Sequence, residues 1–124
     1  MNCLSFDVGG TSVKYGLINS SHKVLKKDKF PTPENEEELI YLFSKIIEDN
    51  LSDISKISVA MPGYVSVANN KYLYGPHLQY DIDFSKLTNF SYQIFLCFLN
   101  CLIGIASKNS FAINILGFFL ILFI

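Results

Sequence analysis

The residues with the clearest potential for chemistry stand at the start of the chain, in the stretch FDVGGTSVKYG that covers residues 6–16. Glycines let backbone N–H groups approach an anion closely, hydroxyl groups can donate to the same anion, and a lysine adds positive charge. A carboxylate at the end of a strand can hold Mg²⁺, which prefers oxygen ligands. These are the parts that phosphoryl transfer requires. The candidate phosphate- and metal-binding residues are therefore Asp7, Gly9, Gly10, Thr11 and Lys14, with Ser12 as a further hydroxyl donor.

The paired glycines also have an ordinary structural interpretation. Glycine accepts positive φ, which hairpin turns often need, so Gly9 and Gly10 on their own indicate a turn rather than a binding site. The pattern is neither a Walker loop nor a dinucleotide fingerprint, and no helix follows the glycines directly. A structural hairpin and an anion-binding turn both remain open at this point.

Strands are predicted on both sides of this turn. Residues 3–8 read as a buried strand, residues 13–18 (VKYGLI) as its hairpin partner, and residues 23–30 (KVLKKDKF) as a third strand with alternating polarity. The polar residues 19–22 form the second turn. The chain is therefore predicted to begin with an antiparallel three-strand unit that carries the glycine turn at one end.

A helix is predicted next. Thr32 is expected to cap it, Pro33 suits its first position, and the glutamates that follow favour the positive end of the helix dipole. Apolar residues recur at helical spacing up to about Asn50 and predict a buried stripe, formed by Leu39, Ile40, Phe43, Ile46 and Ile47.

A fourth strand, residues 56–61 (KISVAM), ends at Pro62-Gly63, and short extended pieces are predicted around 64–67 and 71–74. Three antiparallel strands, a helix and another strand are typical of an α/β domain with a mixed sheet, because a fully parallel sheet alternates strands with helices.

Composition excludes several classes of function. The formal net charge is −1, and every charged residue but Lys108 lies before residue 90. No basic field is therefore available to hold a nucleic acid by its phosphates. Cys3, Cys97 and Cys101 form no disulfide framework, and the C-x3-C spacing lacks the His or acid that a metal site needs. No signal peptide is visible, which leads us to expect a cytoplasmic protein.

Three stretches together resemble one family. FDVGGTSVKYGLIN is similar to the first phosphate motif of sugar kinases with the actin–hexokinase fold, and in detail to that of the ROK family, which comprises bacterial repressors, kinases and uncharacterised relatives. ISVAMPGYVS, residues 57–66, resembles the strand and Pro-Gly turn that borders the family's sugar site. YGPHLQYDIDFSKL, residues 74–87, resembles the segment ahead of a short helix. The likeness covers residues 2 to about 90.

The resemblance implies an α/β fold, the N-terminal lobe of the actin/hexokinase-like (ribonuclease H-like) fold. It also implies ATP- and Mg²⁺-dependent phosphorylation of a hexose or amino sugar, as in glucokinases, and dimers are usual in the family. By position, Gly63 would line the sugar pocket, and the residues of the glycine turn named above would face the ATP phosphates and the metal. His77 stands where the family usually has Asn, which departs from the sugar-binding pattern.

The family's catalytic residue has no counterpart here. After FSKL the family continues with a strand and an Asn-Asp motif whose aspartate is the general base, and later with a zinc motif and a second domain. Residues 91–109 contain no Asp, Glu or His, so we assign no catalytic residue and no metal ligand beyond Asp7. Asp81 and Asp83 are predicted to cap or precede a helix rather than to act as bases.

The sequence is accordingly divided into a partial lobe, residues 1–89, and an apolar tail, residues 90–124. Three interpretations of the tail remain open: the product of a frameshifted or truncated gene, a membrane-associated segment, or a natural short variant. Residues 90–107 are uncharged and only marginally long enough for a bilayer span.

Three functions remain open for the chain as a whole. The first is an inactive fragment of a sugar kinase. The second is a non-catalytic module that binds a sugar or nucleotide or is anchored to a membrane. The third is a relative of the family's repressors. The chain begins at the first strand with no DNA-reading helix before it, which makes the repressor the weakest of the three.

Overall fold

The computed structural model describes residues 2–61, 63–87 and 93–98, with only the backbone described for Val67 and for 93–98. The elements, in chain order, are β1 (Asn2–Val8), β2 (Ser12–Ile18), β3 (Val24–Pro31), α1 (Glu36–Asp49), β4 (Ile54–Met61), β5 (Tyr64–Ser66), a 3-10 helix (Val67–Asn69), β6 (Lys71–Tyr74), β7 (Ile82–Asp83), a second 3-10 helix (Phe84–Leu87) and β8 (Gln93–Phe98). The predicted strands are therefore present within one to two residues of their expected bounds, and the helix is present and ends where expected.

The strands form a mixed main sheet and a small antiparallel sheet. The main sheet has the order β3-β2-β1-β4-β8, and the small sheet has the order β5-β6-β7. β2 is antiparallel to both β1 and β3, whereas β4 runs parallel to β1 and to β8. This confirms the predicted antiparallel start of a mixed sheet. Because parallel strands end at the same edge, the carboxyl ends of β1, β4 and β8 lie side by side.

Strand β8 falls within the segment that composition assigns to the apolar tail. It pairs with β4 from Gln93 opposite Lys56 to Phe98 opposite Met61. A parallel strand covered on both faces reads as an unbroken apolar run, so the lack of charge in QIFLCF does not distinguish a sheet strand from a tail. Residues 99–124 lie outside the described part of the chain.

The core lies between the main sheet and α1. Alternate residues of β1 face the helix, and the ring of Phe6 stacks on that of Phe43 with centroids 4.0 Å apart. Phe43 also contacts Phe84 of the second 3-10 helix, at 6.1 Å between centroids. As predicted, the apolar stripe of α1 faces inwards: Leu39, Phe43 and Ile47 are fully buried, and Ile40 and Ile46 are partly buried against the same cluster. Of the helices that the structure describes, none has the length and apolar character of a bilayer span.

The predicted start of the helix is wrong by three residues. Asn35, in extended conformation, caps α1 by accepting a hydrogen bond from the Glu38 N–H at 2.9 Å. Thr32 does not cap, because its hydroxyl donates to the Gly9 carbonyl at 2.6 Å and its N–H donates to the Thr11 carbonyl at 3.0 Å. Thr32 thus ties the end of β3 to the glycine turn.

Candidate functional site

The glycine turn between β1 and β2 is held closed by its own backbone. The Gly9 N–H donates to the Ser12 carbonyl at 3.0 Å, and a Cβ on Gly9 would lie 2.9 Å from that oxygen. Among the described glycines only Gly63 has a positive φ, so Gly9 and Gly10 are not needed for a left-handed turn. Gly9 is required instead because the backbone approaches too closely for a side chain.

The tip of this turn is open to solvent. Gly10 and Thr11 are exposed, and no hydrogen bond within the described residues occupies their N–H groups. The Gly9 N–H, by contrast, is already used inside the turn. The exposed backbone donors of the turn that have no partner within the described residues are therefore those of Gly10 and Thr11, and Thr11 and Ser12 also carry hydroxyls.

A row of three charged residues crosses the sheet beside the turn. Strand register places Asp7 opposite Lys14 and Lys14 opposite Lys29, and directly opposite residues on adjacent strands point to the same face. Burial raises the pKa of Asp7 above its usual range, and the positive charge of Lys14 partly offsets this rise. Two lysines side by side repel one another, and an anion bound between them would relieve that repulsion.

Lys29 is a candidate site residue that sequence reasoning missed. It lies 15 positions after Lys14, and only the register of β2 with β3 brings the two together. A hairpin drawn from the predicted turn at 19–22 would have placed Lys27 opposite Lys14. The observed register, with its shift between Leu17 and Ile18, puts Lys29 there instead, and no residue pattern in the sequence indicates that shift.

A buried hydroxyl pair fixes the position of Asp7 relative to β4. The hydroxyls of Ser5 and Ser58 are hydrogen-bonded at 2.7 Å across β1 and β4, and the Cys3 sulfur lies 3.6 Å from each. Since Ser5 and Ser58 are fully buried, their mutual hydrogen bond satisfies groups that would otherwise be costly to bury. The same register places Asp7 beside Ala60, close to the end of β4.

The turn after β4 contains the residue predicted to line a sugar pocket, Gly63. Its φ of +134° is one that side chains rarely adopt. A Cβ there would lie 2.5 Å from the Tyr74 carbonyl oxygen, 2.8 Å from the Tyr72 ring and 2.9 Å from the Gly75 Cα. Gly63 is therefore packed directly against the end of β6.

The segment after β6 joins the two glycine turns. Tyr74 touches Gly63, and three residues later the His77 side chain lies against Gly10, where a Cβ would meet its Cβ at 3.1 Å and its Nδ1 at 3.2 Å. His77, the residue that departs from the family's Asn, thus reaches the exposed tip of the glycine turn. The structure brings together Asp7, Lys14, Gly10, Gly63 and His77 along one edge of the molecule.

Of the two acids in the segment DID, residues 81–83, Asp83 takes a structural position. Asp83 accepts hydrogen bonds from the N–H and hydroxyl of Ser85, which is the predicted cap of a short helix. The Ser85 hydroxyl, followed by the Ser85 N–H and nearby lysines, lowers the pKa of Asp83. The Asp83 N–H in turn donates to Glu36 at 2.8 Å, and Glu36 pairs with Lys86 at 2.6 Å. Asp81 is exposed.

The donor set of the turn matches a magnesium–phosphate ligand better than a resident metal cage. No group of three or more His, Cys, Asp or Glu side chains capable of holding a metal occurs in the described ranges. Mg²⁺ usually takes one or two protein carboxylates and completes its shell with water and substrate phosphates. One carboxylate, Asp7, beside outward amides and two lysines fits that mode of binding.

Comparison with known proteins gives a family match and a set of similar folds. The family model described as the ROK family matches residues 3–96. No curated protein matches significantly. Among solved structures, a ROK family protein from Streptococcus pneumoniae TIGR4 in complex with sucrose has a TM-score of 0.70 at 22% identity, covering 86% of this chain and 37% of that one.

Two further solved structures differ in function. A ROK family glucokinase from Streptomyces griseus, in complex with glucose and AMPPNP, has a TM-score of 0.66 at 16% identity, covering 77% of this chain and 32% of that one. A ROK family transcriptional regulator, a homologue of the E. coli MLC protein, has a TM-score of 0.67 at 18% identity, covering 86% of this chain and 30% of that one. At these identities the likeness is one of fold. The chain spans between 30% and 37% of the length of these three structures.

Proposed function

Because this chain belongs to the ROK family and has the fold of the N-terminal lobe of its actin- and hexokinase-like kinases, we propose that it is the phosphate- and sugar-binding lobe of a sugar kinase. The proposed reaction class is ATP-dependent phosphorylation of a hexose or amino sugar. The observation that carries the proposal is the exposed Gly10–Thr11 backbone, whose N–H groups have no partner within the described residues, beside the row of Asp7, Lys14 and Lys29. Gly63 lies along the same edge, at the turn after β4.

Each group in this arrangement has a role in the proposal. The N–H groups of Gly10 and Thr11, with the adjacent hydroxyls, bind terminal phosphate oxygens of the nucleotide. Asp7 holds Mg²⁺, which when bound neutralises charge on the phosphates, and the two lysines add to that neutralisation. Gly63 lines the sugar pocket at the end of β4 with its backbone, on the side away from its contact with β6, and Gly9 keeps the turn closed.

The proposed activity of this chain by itself is binding rather than turnover. Residues 91–109, where the resemblance places the general base, contain no Asp, Glu or His. Without a base to accept the proton of the sugar hydroxyl, positioning alone gives little transfer.

A second candidate is the ligand-binding lobe of a regulator. One observation favours it: a ROK family transcriptional regulator shares the fold of this lobe about as closely as the glucokinase does. A regulator's lobe has no need of a nucleotide, so measured binding of Mg²⁺ and an ATP analogue separates the two candidates.

The proposed function is tested by Asp7→Asn. We expect the chain to bind Mg²⁺ with AMPPNP in isothermal titration calorimetry, and the variant to lose about tenfold or more in affinity, which is the size of a charge-assisted contact. Asp28→Asn, an exposed acid on β3, is the matched control and should bind as the original chain does. Unchanged affinity in Asp7→Asn, or no nucleotide binding by any form, would refute the proposal.

The same variant has a second expected result, in its stability. Burial raises the pKa of Asp7 in the folded chain above the ordinary value of 3.8, so the folded state holds this proton more tightly than the unfolded state. The protonated Asp7 carboxyl therefore contributes to stability below pH 3.8. This contribution is lost as the pH rises from 3.8 through the raised pKa of Asp7. Asp7→Asn should therefore be more stable than the original chain at pH 7, and the difference should vanish near pH 3. Urea unfolding at the two pH values measures this.

Lys29→Gln tests the second cation of the row. We expect nucleotide affinity to fall by roughly three- to tenfold at low salt and by less at high salt, because exposed charges are screened. Lys27→Gln, on the same strand but opposite Gly16, is the control and should change affinity less. Removing the repulsion with Lys14 should also leave the variant at least as stable as the original chain. Equal effects of the two substitutions would show that Lys29 acts only through general charge.

A further inference from the structure

Two exposed tyrosines form a stacked pair next to Gly63. The rings of Tyr64 and Tyr74 lie 5.5 Å apart between centroids and are parallel within 9°. Both remain open to solvent, with 53% of Tyr64 and 68% of Tyr74 exposed. Contiguous exposed apolar surface is one of the features that mark ligand-binding sites.

The pair is positioned by the backbone of the small sheet. A register shift between Tyr64 and Val65 brings Tyr64 opposite Tyr74 on the neighbouring strand. Tyr64 follows Gly63 directly, and the carbonyl of Tyr74 is the atom nearest to Gly63. The backbone that carries both rings therefore packs against the residue proposed to line the sugar pocket.

The pair also lies within a short distance of the glycine turn. His77, whose side chain touches Gly10, is three positions after Tyr74 in the chain. An extended chain spans at most about 3.6 Å per residue, so the Cα atoms of Tyr74 and His77 are no more than about 11 Å apart. The tyrosine pair is therefore close to the glycine turn of the proposed phosphate site, on the segment that also packs against Gly63.

We infer that the Tyr64–Tyr74 pair is a second carbohydrate subsite, which binds the distal sugar unit of a disaccharide or glycoside whose first unit lies at Gly63. The inference rests on the proposed function and adds to it the class of acceptor. An aromatic ring carries negative charge density on its face, and the C–H groups of a sugar ring present a weakly positive, apolar face that complements it. The two phenol hydroxyls supply polar groups at the rim of the same surface.

The alternative is that the pair only stabilises the small sheet. Aromatic residues directly opposite one another on antiparallel strands do stabilise their pairing. For that role the rings need only contact each other, and no ligand binds to their outer faces. Binding measurements separate the two roles, because a purely structural pair has no effect on which sugar binds.

The test compares monosaccharide with disaccharide binding. The chain is titrated with glucose, maltose and cellobiose, and affinity is measured from the shifts of tyrosine ring protons in NMR spectra. We expect at least one disaccharide to bind roughly two- to tenfold more tightly than glucose, the range expected for one aromatic stacking contact. Tyr74→Leu should abolish this preference and leave glucose affinity unchanged. Tyr41→Leu, at an equally exposed tyrosine on α1, should alter neither.

A further variant guards against loss of the small sheet. Tyr74→Phe keeps the ring face and should keep the preference for the disaccharide. If Tyr74→Phe loses the preference as Tyr74→Leu does, or if neither disaccharide binds more tightly than glucose, the subsite is refuted while the proposed function stands. If no sugar binds at all, both the subsite and the proposed sugar-binding function fail.

Discussion

Replacing Gly63 with alanine is expected to reduce the free energy of unfolding by about 2–6 kcal/mol, since a Gly-only backbone conformation and a clash each cost on the order of 1–3 kcal/mol. The φ of +134° is unfavourable for any residue with a side chain. The added methyl group would also meet backbone atoms on two sides, the Tyr74 carbonyl oxygen at 2.5 Å and the Gly75 Cα at 2.9 Å. Neither can move without disturbing the end of β6.

Gly10→Ala is the matched control for this substitution. The three atoms nearest to its new Cβ would all belong to the exposed His77, the Cβ at 3.1 Å, the Nδ1 at 3.2 Å and the Cγ at 3.3 Å. The ring can rotate, and the His77 Cβ needs a shift of only a few tenths of an ångström in an exposed loop. We expect a loss within about 1 kcal/mol, as for most surface substitutions away from special backbone positions. Urea unfolding of both variants gives the comparison. A loss in Gly10→Ala as large as in Gly63→Ala would contradict the idea that backbone contacts decide the cost.

The other large effect is expected for Phe43→Ala, in the centre of the core. Phe43 is fully buried on α1 between Phe6 of the main sheet and Phe84 of the second 3-10 helix. Its removal loses the contacts of a whole ring and leaves a cavity, which together cost about 3–5 kcal/mol. A domain of ordinary stability has only about 5–15 kcal/mol in total, so the variant should lose a large fraction of its stability and unfold at a clearly lower temperature.

Tyr41→Ala provides the control on the same helix. The Tyr41 ring is 65% exposed and faces away from the sheet, so its removal should cost less than about 0.5–1 kcal/mol. Both variants replace an aromatic residue of the same helix with alanine, so the change in helix propensity is about the same in the two. Thermal unfolding followed by circular dichroism measures the difference, and a loss below 1 kcal/mol for Phe43→Ala would show that α1 does not pack on the sheet as described.

Several features of the fold were readable from local sequence alone. Alternating or continuous apolar runs predicted the strands, and apolar residues at helical spacing predicted the buried face of α1, because these periods follow directly from backbone geometry. The order of the elements predicted a mixed sheet, and the motifs at residues 6–16 and 57–66 identified the family. The roles of Asp7, Gly9, Gly10, Thr11, Lys14 and Gly63 in binding stay predictions.

Other features depended on contacts between residues far apart in the chain. Thr32 matches the pattern of a helix cap, yet its hydroxyl bonds Gly9, 23 residues earlier, and Asn35 caps the helix instead. The charge-free residues 93–98 match the pattern of a tail, yet their backbone pairs with β4. In both cases the local sequence fits two structures equally well, and a contact with a residue far away in the chain decides which of them forms.

By itself, the sequence determined the first four strands, the buried face of the helix, the glycine turn and the family, since each is encoded in neighbouring residues. Only the tertiary structure decided which amide of the turn is used in a hydrogen bond, that Lys29 stands opposite Lys14, and that His77 lies against Gly10. The physical reason is that strand register and the packing of one turn on another depend on how whole elements pair. A site assembled from three separate segments is therefore specified by that pairing rather than by any one of its motifs.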